Sequence, residues 1–247
     1  ALRRAGGAIQ VGAPVRKILV DGRRAIGVRL ENGEDIRAHH VVSNADPHVT
    51  FGLVDPALLS WRLRRKLGRT RYSVSALSLF LATDLDVTAA GLDSGNYWYY
   101  EHDDIDAIYR GGLTASGTEG AMPPGQFVTV TSLKDPSKLR HHPGRHTIES
   151  FAFVGYEAFR RWAHTRYGER PEDYQAVKRD LTARMLRGAA RVVPGLEEHV
   201  VFADLGTPLT NAHYLGATGG NLYGTEKSLF HIGPWAFPVQ TEIAGLT

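Results

Sequence analysis

Cysteine is absent from all 247 residues, which excludes disulfides, thiolate metal ligands and cysteine nucleophiles. Its absence also suits a reducing compartment. No run of about 18 apolar residues occurs, so no membrane-spanning helix is expected. The strand-turn-helix phosphate fingerprint Gly-x-Gly-x-x-Gly is missing, as is the Gly-x-Ser-x-Gly elbow of serine hydrolases. The two signs of charge nearly balance, 29 basic against 26 acidic residues. A net +3 is too slight, without a focused patch and a recognition motif, to argue for nucleic acid. The opening ALRRAGGAIQ shows neither an initiator methionine nor a signal-peptide pattern, so the chain is expected to be part of a longer protein.

What is present is enough for a real core: 43% of the residues are hydrophobic, which fits one large domain or two modest ones. Between Pro14 and Asn44 three β-rich runs are joined at Asp21-Gly22 and Asn32-Gly33, pairs that tolerate positive φ in tight turns, so a three-stranded meander is expected. Ile26, Val28 and Leu30 alternate with Arg29 opposed, which predicts one buried and one wet face. The adjacent Val41 and Val42 predict that the third strand ends buried on both faces. Ser43, Asn44 and Ala45 would then lie at the carboxyl end of that strand, where α/β sheets bind ligands. A second reading is that Asn44 and Asp46 cap a helix starting at Pro47.

The segment GGAIQVGAPVRKILVDGRRAIGVRLENGEDIRAHHVVSNADP resembles the central part of the FAD-dependent phytoene desaturase, carotenoid isomerase and retinol saturase superfamily. Gly206 to Gly224, GTPLTNAHYLGATGGNLYG, resembles a later signature of the same superfamily. The resemblance implies FAD as cofactor. Val15 would offer main-chain hydrogen bonds to adenine, and Ser43, Asn44, Ala45 and Asp46 would let the backbone approach the cofactor. It implies an α/β (α+β) fold: part of a Rossmann-like FAD-binding domain with a three-stranded β-meander, plus a substrate domain of mixed or antiparallel sheet with helices. Residues 1–50 would belong to the cofactor domain, 51–235 to the substrate domain, and 236–247 to the start of the return. Both the N-terminal and C-terminal segments of the flavin site would lie outside the chain, which by itself is expected to bind FAD poorly. The implied activity is desaturation, saturation or cis–trans isomerisation of C=C bonds in a long apolar isoprenoid or polyene lipid. The Pro208-Leu209-Thr210-Asn211 form leans toward saturase-like and bacterial relatives. An amine-oxidase-like flavoenzyme on a small polar substrate and a non-catalytic binding module are the alternatives.

From Pro47 to about Gly68 the spacing of Leu58, Leu59, Leu63 and Leu67 predicts helix. Trp61 to Arg71 is dense in basic residues; it reads either as a solvated helical face or as peripheral attachment to anionic lipid in an otherwise cytoplasmic protein. Strands are expected in SVSALSLFLATDL, GQFVTVTSL and RHTIESFAFV, and a long helix from Pro171 with a Tyr174, Val177, Leu181, Met185 stripe, stopped by Pro194-Gly195. The aromatic run NYWYYEHDD reads as core and hairpin edge, or, through Tyr97 and Tyr99, as one wall of a polyene tunnel. Under the resemblance, Thr207, Pro208 and Thr210 would shape the chain near the flavin, and Tyr214 and Tyr223 would line the substrate cavity. No catalytic residue is assigned. The histidines, His39-His40, His141-His142 and His146 among them, lack metal-ligand spacing, so no metal is expected.

Overall fold

A computed structural model of the chain describes residues 2–112 and 124–247. The chain forms two compact units, Ala1–Arg71 with Thr225–Thr247, and Tyr72–Gly224. These divisions fall later than the sequence boundary at residue 50 and earlier than that at 235.

In the first unit β1 (Val15–Asp21), β2 (Arg24–Leu30) and β3 (Asp35–Arg37) form an antiparallel sheet in that order. Gly22 and Gly33 take the left-handed conformations that the two tight turns require. The alternation expected along β2 is interrupted. Leu19 pairs with Gly27 but Val20 pairs with Ala25, so Ile26 is the extra residue of a β-bulge. Ala25 therefore joins Ile18, Val20 and Val28 on the core, and Ile26 does not. At Gly27 a Cβ would lie 2.1 Å from the Ile36 carbonyl oxygen, so the close approach of β3 requires glycine.

The expected burial of the third strand at Val41 and Val42 is corrected: β3 stops at Arg37, Val41 makes a single parallel bridge to Leu246, and Val42 is 80% exposed. One bridge covers one side only. The expected continuous helix from Pro47 is also broken into α1 (Pro47–Gly52), a 3-10 turn at Pro56–Leu58, and α2 (Trp61–Leu67). Each piece has its own side-chain cap, from Asp46, Asp55 and Ser60. Pro56 cannot donate to a preceding turn and disfavours helical backbone at Asp55. The leucines nevertheless meet one core, with Leu59 buried and Leu58, Leu63 and Leu67 packed against the cluster of Phe51, Val54, Ile243 and Leu246.

The second unit is built on β4 (Ser75–Thr83), β5 (Asn96–Tyr100), β6 (Gly125–Val130), β7 (His146–Val154) and β8 (Val200–Gly206), all antiparallel in the order β5-β6-β7-β4-β8. Short helices α3 (Ile105–Gly112), α4 (Thr131–Lys134) and α5 (Pro136–His141) connect strands. The long helix α6 (Glu172–Ala190) starts immediately after Pro171, and α7 (Pro208–Leu215) follows β8. One face of the sheet, with Leu77, Leu79, Leu81, Val128, Val130 and Ile148, shares a core with Tyr174, Leu181, Met185 and Ala189 of α6. Burying Leu181 or Met185 fully contributes about 2–3 kcal/mol each, which fixes α6 on that face.

Candidate functional site: the aromatic sheet face

Period-two alternation decides which side chains meet. Tyr97 pairs with Val128 and Tyr99 with Gln126, whose amide donates to the Met185 carbonyl of α6, so both tyrosines lie on the helix-covered face. Tyr97 packs on the core and its hydroxyl donates to Asp93 Oδ1 at 2.9 Å. Tyr99 accepts from Arg191 Nη1 at 3.3 Å, beneath a guanidinium 5.8 Å from its ring. The backbone N–H of Gly95, and then the Tyr97 hydroxyl, hold the Asp93 carboxyl below its ordinary pKa.

The opposite face carries a wall of rings. Trp98 lies 5.1 Å from Phe127 and stacks with Tyr100 at 6.1 Å. Phe127 stacks on Phe151 at 4.7 Å, and Phe153 continues the row at 5.6 Å from Phe151. Tyr109 on α3 closes one side at 5.1 Å from Phe153, and Tyr223 another at 6.4 Å. Each such pair contributes about 0.5–1.5 kcal/mol beyond area burial, enough to hold half-exposed rings in one arrangement. Trp98 and Tyr223 remain 47% and 54% exposed. The shallow pocket here is lined by Trp98, Tyr100, Ile108, Tyr109, Phe151 and Phe153 with small residues and a proline, and none of its described lining residues is charged. Burial, then a hydrogen bond with Tyr100, raises the Tyr109 phenol above its ordinary pKa, which keeps it neutral. The pocket is only about 20 Å³, so the described residues present an apolar ring surface with phenol hydroxyls at its edge and not a cavity that encloses a ligand.

Of the seven substrate positions expected from sequence, Tyr223 joins this wall. Tyr97 and Tyr99, expected to form one wall of a polyene tunnel, point to the helix-covered face, while their neighbours Trp98 and Tyr100 point to the rings. Thr207 is fully buried and forms a reciprocal capping box with Thr210, its N–H donating to Thr210 Oγ1 at 3.0 Å. Pro208 occupies the first turn of α7, and Gly220, at φ +58°, packs against its carbonyl. Tyr214 ends the same helix in a separate cluster with Tyr167 and His213. Phe127, Phe151, Phe153 and Tyr109 escaped sequence reasoning. The signal was available as aromatic residues at every second position, Trp98-x-Tyr100 and Phe151-x-Phe153.

In the first unit Asn44 and Ala45 are exposed, and among the described residues the Asn44 side chain makes no hydrogen bond. Beside them Ser43 is tied to Thr50 Oγ1 at 2.7 Å, Thr50 Oγ1 donates to the Ala45 carbonyl, and Asp46 Oδ1 accepts from Val49 N–H as the α1 cap. Both readings of Asp46 can hold at once. Val15 opens the edge strand β1 and is 36% exposed. Small exposed side chains on a pinned backbone, with one open amide, fit a large cofactor held mainly through main-chain contacts. In the basic run, Lys66 is turned inward: Nζ donates to the Ala236 carbonyl at 2.8 Å and lies 4.3 Å over Phe237, and burial lowers its pKa. Arg71 pairs with Glu226 at 2.9 Å. Among the described residues no three His, Asp or Glu gather as a metal site, and no helix is long and apolar enough to cross a membrane.

A family model for flavin containing amine oxidoreductase matches residues 1–202. The all-trans-retinol 13,14-reductase of Danio rerio is 30% identical over 92% of this chain and 39% of its own length. The chloroplastic prolycopene isomerase of Arabidopsis thaliana is 28% identical over 91% of this chain and 35% of its length. The chain thus spans about two fifths of the length of such curated relatives. The crystal structure of an oxidoreductase from Methanosarcina mazei superposes with a TM-score of 0.56 at 18% identity, covering 99% of this chain and 44% of that one, which shows a shared fold.

Proposed function

The chain belongs to the flavin containing amine oxidoreductase family, and from that premise we propose that it grips a long apolar polyene within an FAD-dependent oxidoreductase. The reaction is saturation, desaturation or cis–trans isomerisation of a C=C bond. The observation that carries this reading is the aromatic face of Trp98, Phe127, Phe151, Phe153, Tyr109 and Tyr223, whose pocket has no charged side chain among its described lining residues. A conjugated chain laid on it gains from stacking and water exclusion, whereas the described lining of the pocket offers a small polar amine no carboxylate; the nearest on this face is Glu149, one register step beyond Phe151. Retinol and prolycopene, named in the relatives, are such chains.

Residues 1–50 and 236–247, both within the first unit, are the cofactor side. FAD is held there by the backbone at Val15 and at Ser43 to Asp46, with Asn44 offering its amide. When bound, FAD supplies hydride exchange at its N5 atom. The protein's own part is to orient the polyene along the wall, keep water from it, and present the Tyr109 and Tyr223 hydroxyls at its rim. Sequence divisions at residues 50 and 235 are the cofactor–substrate boundary in this reading. The protein works in the cytoplasm of a bacterium, attached peripherally to the membrane through Trp61 to Arg71.

The test is anaerobic incubation of the complete flavoprotein, its flavin reduced, with all-trans-retinol, following the polyene absorbance and isomer composition. Loss of conjugation or a change of isomer is the expected result. Bleaching of the oxidised flavin by a small polyamine in a parallel anaerobic incubation, with retinol left untouched by the reduced enzyme, would favour the amine-oxidase alternative.

A further inference from the structure

A second pocket, of about 430 Å³, lies in the second unit and is lined by Tyr156, Thr165, Arg166, Tyr167, Arg170 and His213 with smaller residues. At Arg170, Nη1 donates to the Tyr174 hydroxyl at 2.7 Å and Nη2 to the Leu209 carbonyl at 3.1 Å. Its guanidinium lies 4.8 Å from the Tyr174 ring centroid and 5.7 Å from that of Tyr167. Two hydrogen bonds and two rings therefore hold it in one orientation. Its Nε is buried and has no hydrogen-bond partner among the described residues. Among those residues neither Arg170 nor Arg166 makes an ion pair. The larger basic cleft of about 730 Å³ around Lys138 and His142 differs on this point: Asp135 lines it and its Arg145 faces Asp84 at 3.6 Å.

A fixed guanidinium with no counter-ion keeps its positive field and the remaining hydrogen on each Nη for a ligand, and an oxyanion is the complementary charge. Arg166 adds a second cation at the rim, and His213, stacked 4.4 Å from Tyr167, completes the aromatic side. We propose that this pocket binds a compact oxyanion, phosphate or carboxylate, with Arg170 as the fixed donor and Arg166 as the rim cation. The ligand is either a free anion or the headgroup of an acidic lipid. Tyr214 and Leu215, next in sequence to His213 and 64% and 68% exposed, give a lipid an apolar rim. This site is independent of the aromatic face.

The test is calorimetric titration of the chain with inorganic phosphate and with acetate at constant ionic strength, alongside co-sedimentation with vesicles of phosphatidate or of phosphatidylcholine alone. Arg166→Gln and Arg170→Lys are compared with the wild type. Saturable binding of either free anion, weakened about tenfold or more in both variants, identifies a soluble ligand. Binding restricted to phosphatidate vesicles, and weakened in the same variants, identifies a lipid headgroup. If Arg170→Lys fails to fold, Arg166→Gln decides alone. Wild-type binding in the variants, or no saturable binding in any arm, overturns the site.

Discussion

Trp98 meets Phe151 edge to face, ring centroids 5.6 Å apart and planes at 89°. Its immediate neighbour Tyr97 is turned into the core on the other side of the sheet. One residue of alternation thus separates the ring wall from a structural hydrogen bond.

That hydrogen bond has a pH signature. Asp93 carries a pKa depressed by the Gly95 N–H and the Tyr97 hydroxyl, so it binds its proton less readily folded than unfolded. Its contribution to stability is present above the unfolded carboxylate pKa of about 3.9 and is lost as pH falls through the lower folded value. Urea titrations between neutral and acid pH are expected to show a shallower acid limb for Asp93→Asn than for the wild type. Parallel limbs would remove Asp93 from the linkage.

Gly220→Ala places a Cβ 2.2 Å from the Pro208 carbonyl oxygen at a φ of +58° and is expected to cost about 2–4 kcal/mol. Gly219→Ala shares the positive φ, but its nearest neighbour is Tyr156 Cγ at 4.0 Å, so about 1 kcal/mol is expected. Denaturant midpoints measure both. Equal losses would show that the Gly220–Pro208 approach is relaxed in solution.

Ala45→Leu, in the complete flavoprotein, is expected to lower flavin occupancy while leaving the melting temperature of the protein within a few degrees of the wild type, because the side chain is exposed. A collapsed melting temperature with normal occupancy in the surviving protein would make residue 45 a structural position.

Much of this was legible in the sequence, for physical reasons that differ by element. The long helix and β7 announced themselves by period, as did the two hairpins by their Asp-Gly and Asn-Gly turns. The β2 bulge did not, because an extra residue flips the face of everything beyond it without changing composition. The helix from Pro47 broke since three caps and Pro56 outweighed the leucine spacing. At the candidate site the aromatic run was noticed, yet the facing of Tyr97 and Tyr99 depends on strand register, and β6 and β7 contribute rings far away in sequence.

Arg62, Arg65 and Arg69 are exposed, whereas Lys66 and Arg71 are engaged within the first unit. Each free basic residue near an anionic leaflet contributes about 1 kcal/mol. Changing the three to Gln is therefore expected to weaken sedimentation with anionic liposomes at least tenfold, with flavin content unaltered. Unchanged sedimentation would leave Trp61 to Arg71 as a solvated helical face.

The central claim is that the polyene lies on the ring wall, and energy transfer from tryptophan to bound all-trans-retinol tests it most directly. The chain has four tryptophans, and only Trp98 stands in the wall. Saturable quenching of the wild type is expected, largely lost in Trp98→Phe but kept in Trp61→Phe, with affinity reduced about tenfold or more in Phe151→Asp. Quenching that survives Trp98→Phe, together with unchanged affinity in Phe151→Asp, would place the polyene elsewhere.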